Sequence, residues 1–235
     1  VTREIQQRLI SVVGLEPARC SVISNPMRLT PPQQPRNRRC GSAREPIQIL
    51  SVGALNAAKD QATLIRSVSI LRRELACRLT ILGEGPLRAQ LEEIATQCGV
   101  GDLVRFEGFV RDPGKYYEEA DLFAMSSVFE GAPLALIEAL AYGLPIVATD
   151  CPTGPREILD GGRLGTLVPI RDPHALAGGI VQTLRDPVSV EDLVTYARKF
   201  DRVHVAQQYL SFFEHIDQLP ETTPRSSRPR VGFRV

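Results

Sequence analysis

Ser126-Ser127-Val128-Phe129-Glu130-Gly131-Ala132-Pro133-Leu134-Ala135-Leu136-Ile137-Glu138-Ala139-Leu140-Ala141-Tyr142-Gly143-Leu144-Pro145 is the stretch that decides how this chain is read. Pro133 stands where a first helical turn begins, since the N–H it lacks has no partner there, and Gly143 with Pro145 ends the pattern, predicting a helix over 133–142. Nearly every residue between is small or apolar. The helix is therefore expected to be buried, and a carboxylate at Glu138 in its middle requires a partner. Glu130 lies eight positions earlier. Were the segment 130–138 wholly helical, the two carboxyls would stand roughly 12 Å apart along the axis and about 80° apart around it. One elongated ligand could touch both. Between them Gly131, Ala132, Pro133 and Leu134 present a helix N-terminus, whose free amides and partial positive charge suit an anion such as a phosphate.

Outward from this unit, strands and helices alternate. Strands are predicted at 47–52, 77–82, 103–106, 121–125, 145–149 and 166–168, and further helices at 60–74, 86–98, 113–119, 155–159 and 173–184. The helical period runs through Leu64, Val68, Leu71 and Leu75 in one case and Leu87, Leu91, Ile94 and Cys98 in another. Short connections between alternating elements imply an α/β fold, a Rossmann-like parallel sheet with helices on both faces. Ligands of such sheets bind beyond the carboxyl ends of the strands, where Gly53, Gly83, Ser126 and Asp150 fall.

The flanks read differently. Residues 3–13 form an amphipathic helix pattern stopped by Gly14, followed by a predicted strand over 20–24 and the turn Asn25-Pro26. The stretch 31–46, rich in proline with Arg36, Arg38, Arg39 and Arg44, reads as a linker carrying a basic patch. A solvated hinge is the plain account of it, and contact with acidic lipid or a phosphorylated acceptor is the other. Helices are predicted at 190–199 and 203–217, the second with Val205, Tyr209, Phe212, Phe213 and Ile216 on one side. The tail 218–235 has a disordered composition.

Composition narrows the class. With 28 basic against 27 acidic residues and a net charge of +1, nothing in the overall balance points to nucleic acid. Five cysteines without a C-x-x-C pair favour reduced thiols over a disulfide framework or zinc site. No apolar run reaches the ~20 residues of a membrane span, so a cytoplasmic protein is expected, with a peripheral position at the inner face of a membrane as the other reading. His174, His204 and His215 are scattered and read as surface or packing residues.

Several motifs converge on one family. Glu130 and Glu138 match an E-x7-E pattern. It is accompanied in order by Val52-Gly53 with Lys59, Ile81-Leu82-Gly83-Glu84-Gly85-Pro86, Phe106-Glu107-Gly108-Phe109, and Cys151-Pro152-Thr153-Gly154-Pro155-Arg156-Glu157-Ile158-Leu159. From about residue 22 to 217 the chain resembles the retaining glycosyltransferases of the GT-B fold, family 4 or group 1, over their C-terminal, donor-binding half.

The resemblance implies transfer of a hexosyl or N-acetylhexosaminyl group from a UDP- or GDP-sugar to a glycan or lipid-linked acceptor, as in polysaccharide biosynthesis, without a metal. It assigns Glu138 to the donor ribose, Glu130 to the donor sugar, and Lys59 with the amides of Gly131 to Leu134 to the diphosphate. Phe109 and Val110 fall at the base, and Gly53 and Gly83 in turns near the nucleotide. Residues 1–30 then correspond to the end of a missing N-terminal acceptor domain, 47–186 to the nucleotide-sugar-binding domain and 187–217 to crossing helices. The chain alone is expected to bind donor but turn over little. One departure stands out: relatives carry an arginine after the glycine of the first motif, and here it is Ala54. Either another cation such as Arg111 or Arg156 substitutes, or the site is weakened.

Two other classes compete. A non-catalytic nucleotide-sugar-binding or partner-docking module fits Ala54 and the 203–217 stripe. A nicotinamide-dependent oxidoreductase would need the third glycine of G-x-G-x-x-G after Gly83, and Arg88 stands there. A nucleotide-sugar epimerase on the same fold is more distant.

Overall fold

The computed structural model describes residues 2–17, 20–32 and 46–217. The 31–46 linker with its arginines falls mostly outside the described residues, as does the 218–235 tail.

Six strands, β1 (Ile47–Val52), β2 (Cys77–Leu82), β3 (Val104–Gly108), β4 (Leu122–Met125), β5 (Ile146–Thr149) and β6 (Thr166–Val168), form one parallel sheet in the order β3-β2-β1-β4-β5-β6. All four residues of β4 and all four of β5 are buried, as expected of strands covered on both faces. The two-residue pleat sends Leu50, Phe123 and Ala148 to one core and Ile49, Leu122, Ala124 and Val147 to the other.

Helices α2 (Gln61–Leu71), α3 (Arg88–Gln97) and α7 (Pro173–Arg185) cover the second face through Leu64, Val68, Leu91 and Ile180. Helices α4 (Gly114–Glu119), α5 (Leu134–Ala141) and α8 (Val190–Ala197) cover the first through Tyr117, Leu136, Leu140 and Leu193. The short α6 (Pro155–Ile158) starts on Pro155, as its sequence predicts. Helix α9 (Arg202–Asp217) closes the described chain.

The decisive helix ends as read. Gly143, at φ 64°, donates to Leu140 O while Leu144 donates to Ala139 O, satisfying two carbonyls the helix leaves open. It begins one residue later than predicted. Pro133 is extended (ψ 108°) and caps the helix rather than opening it, so 130–138 is not one continuous helix.

Upstream, α1 (Arg3–Arg8) runs into a π-type turn over Leu9–Val13 that Gly14 stops at φ 72°. The strand predicted over 20–24 is absent. That segment joins no sheet edge, and its neighbourhood bonds elsewhere: Cys20 O accepts from Gln6 Nε2, Asn25 Nδ2 donates to Ala132 O, and Met27 N–H donates to Phe200 O at 2.8 Å. Local alternation of side chains is necessary for a strand, but a ladder partner is what makes one.

Candidate functional site

In an open sheet of order 3-2-1-4-5-6 the connections leave β1 and β4 in opposite directions, opening a crevice at their carboxyl ends. A cleft of about 800 Å³ lies there. Its floor is backbone drawn tightly together. Gly53 N–H bonds Leu82 O, Gly83 N–H bonds Gly108 O and Leu55 N–H bonds Glu84 O. Gly83 sits at φ 137°, and a Cβ there would come within 2.0 Å of Gly53 O, so only glycine lets β1 and β2 end this closely.

Lys59 reaches the cleft from the loop before α2. Asn56 Oδ1 accepts the backbone N–H groups of Ala58 and Lys59, an Asx turn that fixes the loop. Ser126 Oγ at the end of β4 donates to Lys59 O at 2.9 Å, and Val128 N–H donates to Ala58 O. The lysine is thereby tied to the segment carrying Glu130, and Lys59 Nζ meets Glu130 Oε1 at 2.6 Å. Ser127 Oγ donates to the same oxygen at 2.6 Å, and Thr153 Oγ1 donates to the Glu130 carbonyl. Glu130 is only 6% exposed, so a cation and a hydroxyl compensate its desolvation.

Glu138, also 6% exposed, has a different partner. The Tyr117 hydroxyl donates to Glu138 Oε2 at 3.0 Å, with Ala135 O at 3.3 Å. Tyr117 is fully buried, stacked on Tyr142 at 5.2 Å and on Phe123 at 6.1 Å between ring centroids. Burial pushes the Glu138 carboxyl above its ordinary value. The Tyr117 hydroxyl, the nearby Arg28 charge and the Arg28 backbone N–H oppose that rise. Burial and Glu138 together hold the Tyr117 hydroxyl well above its own usual range, keeping it a donor.

The cleft brings together Gly53, Lys59, Gly83, Phe109 and Val110 with Glu130, Pro133, Leu134 and Glu138. Phe109 is 75% exposed, which removes it from the core and leaves its ring free for a ligand. Gly131 and Ala132 are not part of the lining. The extended Pro133 turns them toward the 151–154 loop, where a Cβ on Gly154 would meet Gly131 O at 2.8 Å, and Ala132 O is taken by Asn25. Leu134 and Ala135, the first residues of α5, line the cleft instead.

Of the two arginines offered for the Ala54 vacancy, Arg111 lines the cleft, whereas Arg156 pairs with Asp150 outside it. Glu157 instead accepts from Arg3 N–H at 2.8 Å. Sequence reading missed Tyr117 and Arg28, both brought to Glu138 by packing alone; the requirement that Glu138 have a partner was the available signal.

Cys20, Cys77, Cys98 and Cys151 are free thiols, burial pushing Cys77 and Cys151 up to about 11. The three histidines are exposed. Among the described residues, no three histidine, cysteine or carboxylate side chains group to hold a metal, and no helix is long and apolar enough to cross a membrane.

Comparison with known proteins identifies the family and the fold. Residues 34–200 match the family described as "Glycosyl transferases group 1". The chain is 34% identical over 168 residues to N-acetylgalactosamine-N,N'-diacetylbacillosaminyl-diphospho-undecaprenol 4-alpha-N-acetylgalactosaminyltransferase of Campylobacter jejuni, covering 70% of this chain and 46% of that protein. It is 33% identical over 163 residues to the amylovoran biosynthesis glycosyltransferase AmsK of Erwinia amylovora, covering 66% and 40%. The chain thus spans less than half the length of these relatives.

Among solved structures, a mutant TarM of S. aureus in complex with Fondaparinux, alpha-GlcNAc-glycerol and UDP superposes with a TM-score of 0.75 at 20% identity, over 91% of this chain and 43% of that one. The pneumococcal O-GlcNAc transferase GtfA, solved with UDP and GlcNAc, gives 0.71 at 22%, over 90% and 43%. At these identities the structures speak for the fold, that of a GT-B half. Sequence match and fold together establish that this chain belongs to the group 1 glycosyltransferase family.

Proposed function

We propose that the cleft holds a nucleoside-diphosphate sugar and that the whole protein transfers a hexosyl or N-acetylhexosaminyl group from a UDP- or GDP-sugar to a glycan or lipid-linked acceptor, retaining anomeric configuration. The observation that carries this reading is two buried carboxylates, each with its own partner, flanking the N-terminus of α5 at the switch point of the sheet. As the bond from the anomeric carbon to the diphosphate breaks, negative charge grows on the leaving oxygens, and a preorganised positive field lowers that barrier. Lys59 and the Leu134 and Ala135 amides supply such a field without a metal. Glu138 accepts from the ribose hydroxyls, and Glu130 from a hydroxyl of the donor sugar. The leaving phosphate helps deprotonate an acceptor attacking the same face, so Glu130 orients and Lys59 stabilises charge. Phe109 offers its exposed ring to the base.

Support for the donor class comes from the UDP held by the S. aureus and pneumococcal structures, and for a lipid-linked acceptor from the diphospho-undecaprenol in the Campylobacter relative's name. An acceptor domain joined to this one, and cytoplasmic contact with the membrane bearing such an acceptor, belong to the same proposal. The test is calorimetric titration of the 235-residue chain with UDP, GDP and NAD in the presence of a chelator, repeated on Glu138→Ala. Selective binding of UDP or GDP, weakened at least tenfold in the variant, is expected. Binding of NAD alone would sink the reading.

A second reading, a non-catalytic docking module, draws on α9. Val203, Leu210 and Phe213 are 66%, 62% and 57% exposed there, while Val205 is buried. Ala54→Arg separates the two: a large gain in donor affinity speaks for a degenerate site, little change for a cation already in service.

A further inference from the structure

Three cations line the cleft among the described residues: Arg28, Lys59 and Arg111. Lys59 is engaged by Glu130. Arg28 comes from outside the Rossmann unit, two residues past the Asn25-Pro26 turn, on a segment that is neither helix nor strand. Its main chain is fixed on every side. Met27 N–H bonds Phe200 O, Arg202 Nη2 donates to Arg28 O at 2.6 Å, and Tyr142 Oη donates to Thr30 O.

The residue, in contrast, is exposed and lines the cleft, and its guanidinium forms no ion pair among the described residues. An anchored backbone at the cleft carrying a five-donor fork without an ion-pair partner is an arrangement suited to phosphate. The Arg28 charge also acts on Glu138. Each carboxylate of the pair therefore has its own cation beside it: Lys59 at Glu130, Arg28 at Glu138.

We infer that Arg28 is a donor-binding residue that holds the phosphate attached to the ribose, while Lys59 holds the phosphate attached to the sugar. This rests on the donor-site reading above, with Glu138 at the ribose. It answers the Ala54 departure: the second cation reaches the diphosphate from the 20–32 segment instead of from the end of β1. Arg202 is a positioning residue for it, acting through the Arg28 carbonyl.

The experiment is an affinity ladder. Uridine, UMP and UDP, and in parallel guanosine, GMP and GDP, are titrated against the 235-residue chain, Arg28→Ala, Arg28→Lys and Lys59→Ala. Thermal melting of each variant checks that the fold persists. For the base that binds, Arg28→Ala is expected to weaken the monophosphate and the diphosphate about ten- to one-hundredfold while leaving the nucleoside within about twofold. Arg28→Lys recovers part of the loss, and Lys59→Ala weakens the diphosphate far more than the monophosphate. An unchanged monophosphate affinity in Arg28→Ala, or an equal loss for the nucleoside, overturns the assignment while leaving the donor site standing. A parent chain that binds no rung of either ladder overturns both.

Discussion

Glu130 and Glu138 sit eight residues apart on one stretch of chain, and each is 6% exposed, yet the fold treats them oppositely. Glu130 lies in the loop before α5 and meets a cation directly, Lys59 Nζ at 2.6 Å. Glu138 lies inside α5 and meets a neutral hydroxyl, with the arginine charge near it but unpaired. The first end of the cleft is an ion pair that must be shared with a ligand. The second is a desolvated carboxylate held by a neutral hydroxyl, which a ligand's hydroxyls would join. Two identical side chains at equal burial thus acquire different chemistry from what packs against them.

The comparison breaks most severely at Tyr117. Tyr117→Ala empties a fully buried aromatic site and strips Glu138 of its donor, with an expected loss of about 3–5 kcal/mol in denaturant unfolding. Lys59→Met attacks the other end. It leaves Glu130 with the Ser127 hydroxyl and no cation, for an expected loss of about 1–3 kcal/mol. Most of that is recovered in the Lys59→Met, Glu130→Gln double variant; additive losses in the thermodynamic cycle would show that the pair is not coupled.

Tyr117→Phe sharpens the contrast by deleting only the hydroxyl. A loss of about 1–2 kcal/mol is expected, and the Glu138 carboxyl, relieved of a bond that lowers its pKa, should titrate higher still in NMR-detected titration. The smallest effect concerns Glu138 itself. Its carboxyl titrates higher folded than unfolded, so its contribution to stability is whole below the ordinary value of 4.5 and is lost as pH rises through the raised value. Glu138→Gln has no charge to bury. Its melting temperature should match the parent below pH 4.5 and exceed it by a few degrees near neutrality, while nucleotide affinity falls. A parallel pH profile for both proteins would contradict the desolvation account.

Much of this was legible from residues alone. The limits of β1 and β2 coincide with the predicted spans 47–52 and 77–82, because strongly apolar residues such as Ile49, Leu50, Leu79, Ile81 and Leu82 mark each strand and turn residues bound it. Gly143 ended α5 as read, because helix termination is local chemistry between neighbours in sequence. The E-x7-E spacing, Lys59 and Phe109 arrived in one cleft because strand order dictates where loops converge.

What failed did so for nonlocal reasons. Residues 20–24 alternate like a strand but join no sheet edge: Cys20 O accepts from Gln6, and just downstream Asn25 and Met27 bond Ala132 and Phe200. Gly131 and Ala132 precede a helix N-terminus yet are not among the residues lining the cleft, Gly131 O lying against Gly154 and Ala132 O accepting from Asn25.

The sequence by itself determined the alternation of strands and helices and the buried helix with its two carboxylates, and its ordered motifs carried the resemblance to the family. The alternation and the helix follow from periodicity and capping within one or two turns of chain. Tertiary structure alone decided that Glu130 is answered by Lys59, 71 positions away, and Glu138 by Tyr117 and Arg28. Partner choice for a buried charge is settled by which distant surfaces meet when the two cores close, and no local pattern encodes it.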